Sequence, residues 1–572
     1  MGFMIVLGIK PTIENWHGTR WGGHDPSATL LINQKVAGAA EEERFVRVKH
    51  APKPNFPKES VKFVLNQNNI NLGDVDVVAI GWDHSKFLNK NRLFKKFKSP
   101  SLWNLNELYK DLKTAYAIRE NNQIKQIHNN LQRLNMGTFA GEFIEVPHHR
   151  SHAASAAFCS GFDDQIIITM DGSGETESTV IWDANLKKIA QFERLNSLGK
   201  YYNSGCYFLG FNKWDAGKVM GLASYGNYDE QIDKVFKKYI LWGEGTYDVS
   251  RFQNNYDIWV DELGNRRYKE ERIRQFHENF AFHLQYTLEK IVKHLIDYYV
   301  KQTKITKIAV AGGVGMNCKL NREIKNMQVV EKLFVQPVAN DVGISLGCAL
   351  EAYRKFAGTA PEVNLTNLYL GPKYSNEDIE DALNNNKLDF RKYSDNEICS
   401  EVAKLLDKNK LVGWFQGRME FGARALGNRS ILADPRSHEM RDYVNDNIKK
   451  RENWRPFAPS VLYEQSREFL KYGDEAPYMI ILDEVKQSKQ KEVAAITHVD
   501  GTTRPQTVRK EQNEKYYKLI NEFYDITGVP LILNTSFNLA GEPIVESPNQ
   551  AIADFYRTGL DALAIGNYLL KK

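Results

Sequence analysis

The chain has 572 residues, 42% hydrophobic and 26% charged, which is ordinary globular material too long for one core and implies two or three domains. A net charge of +5 falls short of a dedicated nucleic-acid binder, so no extended nucleic-acid footprint is expected, and acidic small molecules such as phosphates fit as well as anything larger. Five cysteines, far apart and without a CxxC pair, argue against a disulfide framework or a thiolate zinc site and fit a reducing cytoplasm.

The start, MGFMIVLGIKPTIENW, lacks the basic flank and cleavage site of a signal peptide, and no apolar run approaches membrane-spanning length. A soluble cytoplasmic protein with no membrane partner is the expectation. FMIVLGI reads as a buried strand, and SATLLI and KVAGAAEEE as strands flanking a turn at Asn33-Gln34. Between them runs a polar loop that ends in His24-Asp25-Pro26. A helix is predicted over 60–70 and a strand over 75–82; from His84 to Met136 the chain turns basic, then mostly helical and polar, as an inserted helical arm would. QIIITMDGSGE and KIAVAGGVGMN are strands breaking into glycine-rich loops, with a long amphipathic helix over 270–302 before the second. LFVQPVANDVGISLGCALEAY runs strand, loop, helix. Composition shifts over 356–395, and a second α/β unit follows. No short-period repeat is visible. The fold class is therefore α/β, with ligands expected where strands end in polar or glycine-rich loops.

EVPHHRSHAASAAF holds three histidines within five residues. His148 and His152 share one face of a helix begun by Pro147, close enough to bind one ion. The same spacing also occurs on ordinary polar helix faces. Asp171 and Asp341, at strand ends, complete a mixed nitrogen and oxygen set that suits Fe(II), Mn(II) or Zn(II). A zinc protease would need a glutamate after the first histidine, and His149 stands there instead. Gly172 in DGSGE, and Gly312, Gly313 and Asn317 in AGGVGMN, let a phosphate or nucleotide approach the backbone; the lysine of a P-loop is absent. Further on, Arg418, Arg424, Arg429, Arg436, Lys449, Lys450, Arg451, Arg455 and Arg504 are mixed with glycine and apolar residues. That context suggests partly buried guanidinium groups, which need anionic partners, and phosphate matches their fork. Asn534 and Ser536 in LNTSFN follow a strand and suit a planar amide or a phosphate.

These motifs occur in a specific order: HDPSATLL, AAEEERFVRVKH, PHHRSHAASA, MDGSGE, GKVMGLASYG, AGGVGMNCKLN, NDVGISLGCAL, GRMEFGARALGNRSILADPR, RENWRPFAP, TRPQTV and NTSFNLAGEPIVESP. Over nearly its whole length the chain resembles the NodU/CmcH carbamoyltransferase family. The resemblance implies an N-terminal TsaD-like domain with the actin/Hsp70/sugar-kinase (ASKHA) fold over 1–355, helical insertion included, a connecting segment over 356–395, and a YrdC-like α/β domain over 396–572. It implies that carbamoyl phosphate and ATP, with Mg2+, form carbamoyl-adenylate in the C-terminal domain. The carbamoyl group then passes to the hydroxyl of a small-molecule acceptor at a metal site in the N-terminal domain, releasing AMP. By motif, the metal ligands are His148, His152, Asp171 and Asp341, and the family metal is Fe(II). Arg424, Lys449, Arg455, Arg504, Asn534 and Ser536 fall on the carbamoyl-adenylate pocket. Gly172, Gly312, Gly313 and Asn317 fall on the nucleotide loops, and His24 with Asp25 on the transfer site, where histidine is a suitable general base.

One departure is the long loop before His24, carrying Trp16, His17, Arg20 and Trp21, which suggests an acceptor pocket that stacks on a ring. The basic stretch 84–98 is a second candidate for covering that pocket. Two other readings compete: transfer to a nucleoside, nucleotide or modified base, and a non-catalytic nucleotide-binding sensor. The second activating site argues against the sensor. A homodimer is the default for a soluble enzyme.

Overall fold

The computed structural model describes residues 3–14, 20–21, 23–51, 56–83, 123–252 and 255–572, with the side chains of 13, 14, 20 and 21 excepted. The chain divides into two compact units: Met1–Gly199, Ile305–Gly315 and Phe334–Asn364 form one, and Lys200–Lys304, Met316–Leu333 and Leu365–Lys572 the other. Composition alone places a division at 356–395; by compactness, residues 200–304 and 316–333 group with the C-terminal part.

The first unit holds two five-stranded sheets. In chain order the first sheet uses Ile5–Lys10, Ser27–Ile32, Lys35–Glu41, Val77–Ile80 and Glu142–Glu145. The second uses Ile166–Met170, Glu177–Trp182, Lys188–Glu193, Lys307–Ala311 and Lys332–Val335. In both sheets the spatial order is third, second, first, fourth, fifth strand. The first three strands are antiparallel, and the fourth lies parallel to the first. The doubled sheet is the ASKHA arrangement, within an α/β chain as expected. Asn33-Gln34 forms the expected hairpin turn, with Asn33 at φ 55°. The strand ends at Glu41, however, and Glu42–Val46 is helical, because the buried Glu42 carboxylate accepts the Glu59 and Ser60 N–H groups and is held by packing rather than by pairing.

Helices His148–Ala157 and Ile344–Ala357 pack closely. A Cβ on Gly347 would lie 1.8 Å from the Ser151 carbonyl oxygen, so the crossing depends on glycine. Gly312 has φ +92°, and its added Cβ would lie 2.2 Å from the Met170 oxygen. Lys307–Ala311, which pairs in parallel with Ile166–Met170, thus ends in backbone that only glycine fits, against the residue before Asp171. The expected arm from 84 to 136 lies largely outside the described residues; within it Gln123–Gln132 is helical.

The second unit is built on an eight-stranded mixed sheet that includes Val412–Phe415, Arg429–Ala433, Ala458–Leu462, Gln506–Val508 and Leu531–Ser536. Helices Asp395–Asp407 and Glu514–Thr527 pack together over its apolar core. The long helix Gln275–Thr303 begins five residues later than its apolar pattern and belongs to this unit. On it, burial pushes Glu289 up to about 7, while Gln285 donates to its carboxylate at 2.7 Å. The folded state therefore holds a proton that the unfolded chain has lost, and stability falls as pH rises from about 4.5 to about 7. Glu289→Gln is expected to unfold with wild type at pH 4.5 but to be more stable at pH 8, by about 2 kcal/mol after solvent screening; urea midpoints at both pH values test this.

Candidate functional site

His148 opens its helix after Pro147, and its backbone N–H donates to both Glu175 oxygens, at 2.9 and 3.1 Å. The acidic side chain at the helix N-terminus satisfies an otherwise orphan donor and complements the dipole. This fixes the first turn and points His148 and His152 to one side, their ring centroids 4.8 Å apart. Asp171, at the end of Ile166–Met170, and Asp341, in the turn before Ile344–Ala357, reach the same place. One ligand atom from each of the four side chains lies within 4.8 Å of every other. His148 Nε2 is 3.3 Å from Asp171 Oδ2 and 3.7 Å from Asp341 Oδ1; His152 Nε2 is 3.9 Å from Asp341 Oδ1.

The electrostatics are those of a site built around positive charge. Burial lowers His148, yet Asp341 and Asp171 outweigh it and raise its pKa. Burial raises Asp171, but the His148 hydrogen bond and the neighbouring imidazoles hold it well below the usual carboxylate range. Burial, with His148 beside it, pushes His152 down to about 3. His152 is thus neutral, fully buried, and neither ring nitrogen has a hydrogen-bond partner. Leaving such groups unmet costs about 1–3 kcal/mol each. Two imidazole nitrogens facing two carboxylates is a donor set that fits a divalent metal. His149 turns away, with Nδ1 3.0 Å from Thr169 Oγ1.

Asp171 Oδ1 also accepts the Gly313 N–H at 2.9 Å, and Ser197 Oγ donates to the carbonyls of Asp171 and Gly172. Asn317, in the other unit, caps Cys318–Lys325 by accepting the Leu320 N–H and exchanges hydrogen bonds with Gln285.

Near this cluster Asp25 has φ 56° and accepts from His24 Nδ1 and His50 Nδ1, both at 2.8 Å. Burial would raise Asp25, but the two histidines hold it well below the usual range. Lys10, buried at the strand end, ion-pairs Asp341 at 3.3 Å and donates to the His24 carbonyl at 2.5 Å. Trp16 and His17 lie outside the described residues, as does the basic stretch 84–98; of Arg20 and Trp21 the backbone alone is described, paired with Ile13–Glu14.

In the second unit the basic residues sort into two groups. Arg429 is fully buried, donates to the carbonyls of Gln416, Asn428 and Pro372, and stacks 3.7 Å from the Phe415 ring. Arg436 pairs with Asp434 and Asp407, and Arg418 holds the carbonyls of Leu370 and Gly371. These are structural. Arg429, like Arg424 and Arg504, keeps a buried Nε without a partner, but Glu420 and Glu546 offset its charge; Arg424 is pushed down to about 9 by burial and by Arg504, with no carboxylate among the described residues to offset it. Arg451 donates to Asn445 Oδ1 at 2.7 Å and to the Pro456 carbonyl, yet burial, Arg455 and Arg504 push it to about 9, and burial lowers Arg455. The carboxylates that offset them are Glu452, 3.8 Å from Arg455, and Asp215, and both are shared with Lys218. Four guanidinium groups in surplus of carboxylate make an anion site. Lys449 lies buried against Ser536 and Asn538, with Nζ 3.3 Å from Ser536 Oγ and 3.1 Å from Asn538 Oδ1. Asn534 donates to Ser460 Oγ at 2.9 Å and keeps a buried, unpartnered Oδ1.

The family models decide what the chain belongs to. The carbamoyltransferase N-terminus model matches residues 18–350 and the carbamoyltransferase C-terminus model matches residues 403–572. This chain belongs to the NodU/CmcH carbamoyltransferase family. Nodulation protein NolNO of Sinorhizobium fredii is 36% identical over 100% of this chain and 83% of its own. Nodulation protein NolO of Bradyrhizobium diazoefficiens is 39% identical over 74% of this chain and 78% of its own. Among solved structures, component A of the (R)-2-hydroxyglutaryl-CoA dehydratase of Acidaminococcus fermentans matches at TM-score 0.35 and 12% identity over 62% of this chain and 99% of that one.

In this carbamoyltransferase, several residues that shape the sites escape sequence reasoning. Glu175 reads as part of a glycine loop, and its role as the anchor of His148 depends on a contact across 27 residues. Lys10 reads as a strand end, and Arg451 as one of several basic residues. Glu420 is the fourth: its Oε1 accepts the N–H groups of Leu426, Asn428 and Arg429 at 2.7, 2.8 and 3.3 Å, shaping the loop that carries Arg424. Glu420→Ala strands three N–H donors and is expected to cost about 2–4 kcal/mol, read from the shift in urea midpoint.

Proposed function

We propose that this carbamoyltransferase is ATP-dependent and modifies a hydroxyl group. At the arginine cluster of the YrdC-like region 396–572, water cleaves carbamoyl phosphate to carbamate and phosphate. A carbamate oxygen then bonds to the α-phosphorus of ATP, the bond from that phosphorus to the bridging oxygen breaks, and pyrophosphate leaves carbamoyl-adenylate behind. The carbamoyl group then passes to the acceptor at the histidine–aspartate cluster of the TsaD-like region 1–355. The observation that supports this is the pairing, in one chain, of a nitrogen/oxygen cluster with unpartnered imidazole nitrogens and a second site whose guanidinium groups outnumber their carboxylates. A nucleotide's phosphates repel one another and an incoming carbamate-type oxygen, and Arg424, Arg451, Arg455 and Arg504 offset that charge. Lys449, Asn534 and Ser536 supply the directed hydrogen bonds.

In the transfer step the acceptor oxygen bonds to the carbamoyl carbon, the bond from that carbon to the adenylate oxygen breaks, and AMP leaves with the electron pair. The hydroxyl proton goes to His24. His24 is oriented by Asp25, whose Oδ2 lies 2.8 Å from its Nδ1. His148, His152, Asp171 and Asp341 would hold a divalent metal, Fe(II) in the family, with Mn(II) and Zn(II) as alternatives; bound there it would supply Lewis acidity beside the carbonyl. Trp16, His17, Arg20 and Trp21 are proposed to contribute to recognition of the acceptor, a small molecule.

Production of AMP and pyrophosphate from ATP should depend on carbamoyl phosphate, and a panel of sugars, nucleosides and antibiotic scaffolds should reveal the acceptor by a carbamoyl mass increment. No AMP under any acceptor and metal condition would overturn the reading.

A further inference from the structure

His50 lies at the end of the motif AAEEERFVRVKH, and the reaction outlined above leaves it without a task. The structure ties it to Asp25 twice: His50 Nδ1 lies 2.8 Å from Asp25 Oδ1, and the Asp25 N–H donates to the His50 carbonyl at 2.9 Å. Its own N–H donates to Glu43 Oε2 at 2.7 Å, which anchors the residue from the other side. Asp25 and His50 are both in the left-handed region, at φ 56° and 62°, and Ala51 follows at 31°. Such backbone persists where surrounding contacts over-determine it, and it concentrates at functional positions. A carboxylate can only accept hydrogen bonds, so each imidazole must place its proton on Nδ1 to meet Asp25. Two histidines thus bracket one aspartate, His24 on Oδ2 and His50 on Oδ1, with side chains 31% and 25% exposed against 7% for Asp25.

We infer that His50 is a positioning residue of the transfer site: its Nδ1–H pins one oxygen of Asp25 so that the other holds the His24 proton on Nδ1 and leaves Nε2 as the proton-accepting atom. Lys10 fixes the same histidine from its backbone side. The inference deepens the proposed reaction and rests on His24 as its base. Without His50 the Asp25 carboxylate is free to rotate, and His24 samples both tautomers.

The test reads the tautomer directly, by long-range proton–nitrogen NMR of imidazole-labelled full-length protein, with His24 signals assigned through His24→Ala. Wild type is expected to show His24 as a single Nδ1–H form. His50→Ala should lose that single form, and His50→Asn, whose amide N–H can occupy the Nδ1 position, should restore it. With carbamoyl transfer followed on the acceptor found by the panel, His50→Ala should lower kcat at least tenfold with KM nearly unchanged, and His50→Asn should recover most of it. An unchanged His24 tautomer in His50→Ala overturns the proposal, as does a His50→Asn protein that matches His50→Ala. The tautomer is read without ATP, carbamoyl phosphate or acceptor, so failure of the transferase reading would show separately, as absent AMP formation.

Discussion

His152→Leu is expected to abolish carbamoyl transfer while leaving the metal-free protein no less stable than wild type. The side chain sits at 0% exposure with both nitrogens unpartnered, so in the absence of metal those nitrogens are a liability rather than a support. Leucine fills a similar volume and removes them. In chelator the variant should melt at or above the wild-type temperature. On titration with Fe(II), wild type should gain about 2.7 kcal/mol at a free metal concentration of a hundred times Kd, and the variant almost none. Wild-type-like metal stabilisation in His152→Leu would remove the cluster from the reaction. Formation of pyrophosphate from ATP and carbamoyl phosphate should survive, because the arginine cluster belongs to a different compact unit.

Arg424→Met should act in the opposite place and separate stability from activity. Arg424 and Arg504 each keep a buried, unpartnered Nε, and burial with the charge of Arg504 pushes the pKa of Arg424 down to about 9. Such an arrangement is costly until an anion arrives. Removing one guanidinium relieves like-charge repulsion and desolvation, and the ligand-free protein should gain about 1–3 kcal/mol. Carbamoyl-phosphate-dependent pyrophosphate release should fall by about a hundred- to a thousandfold, the loss expected when a donor aimed at developing charge is removed. Arg436→Met provides the contrast. Its guanidinium is held by Asp434 and Asp407, so its loss strands a buried carboxylate and should destabilise by about 2 kcal/mol with little change in rate. If Arg424→Met behaves as Arg436→Met does, the guanidinium surplus is structural and the assignment of this site is wrong.

Both predictions depend on distinctions of different origin. The sequence by itself determined the α/β class, most strands and their turns, and the family, because alternation, glycine-rich strand ends and motif order are local and survive as written. It also singled out His148, His152, Asp171 and Asp341, because histidines four apart on a helix share a face whatever surrounds them. Only the tertiary structure decided that the two sheets repeat one strand order, since that equivalence lies in pairing between distant strands and leaves no short-period trace. It likewise decided which basic residues are paid off by carbonyls and carboxylates, as Arg429 and Arg436 are, and which remain in surplus, as Arg424 and Arg504 do. Those neighbours come from strands and loops tens of residues away. It also brought His50 to Asp25 across 25 residues, a contact fixed by two left-handed backbone turns that neither residue's sequence context announces. Residue type and spacing declare what a side chain can do; the burial and partners that set its charge arise only when distant segments close around it.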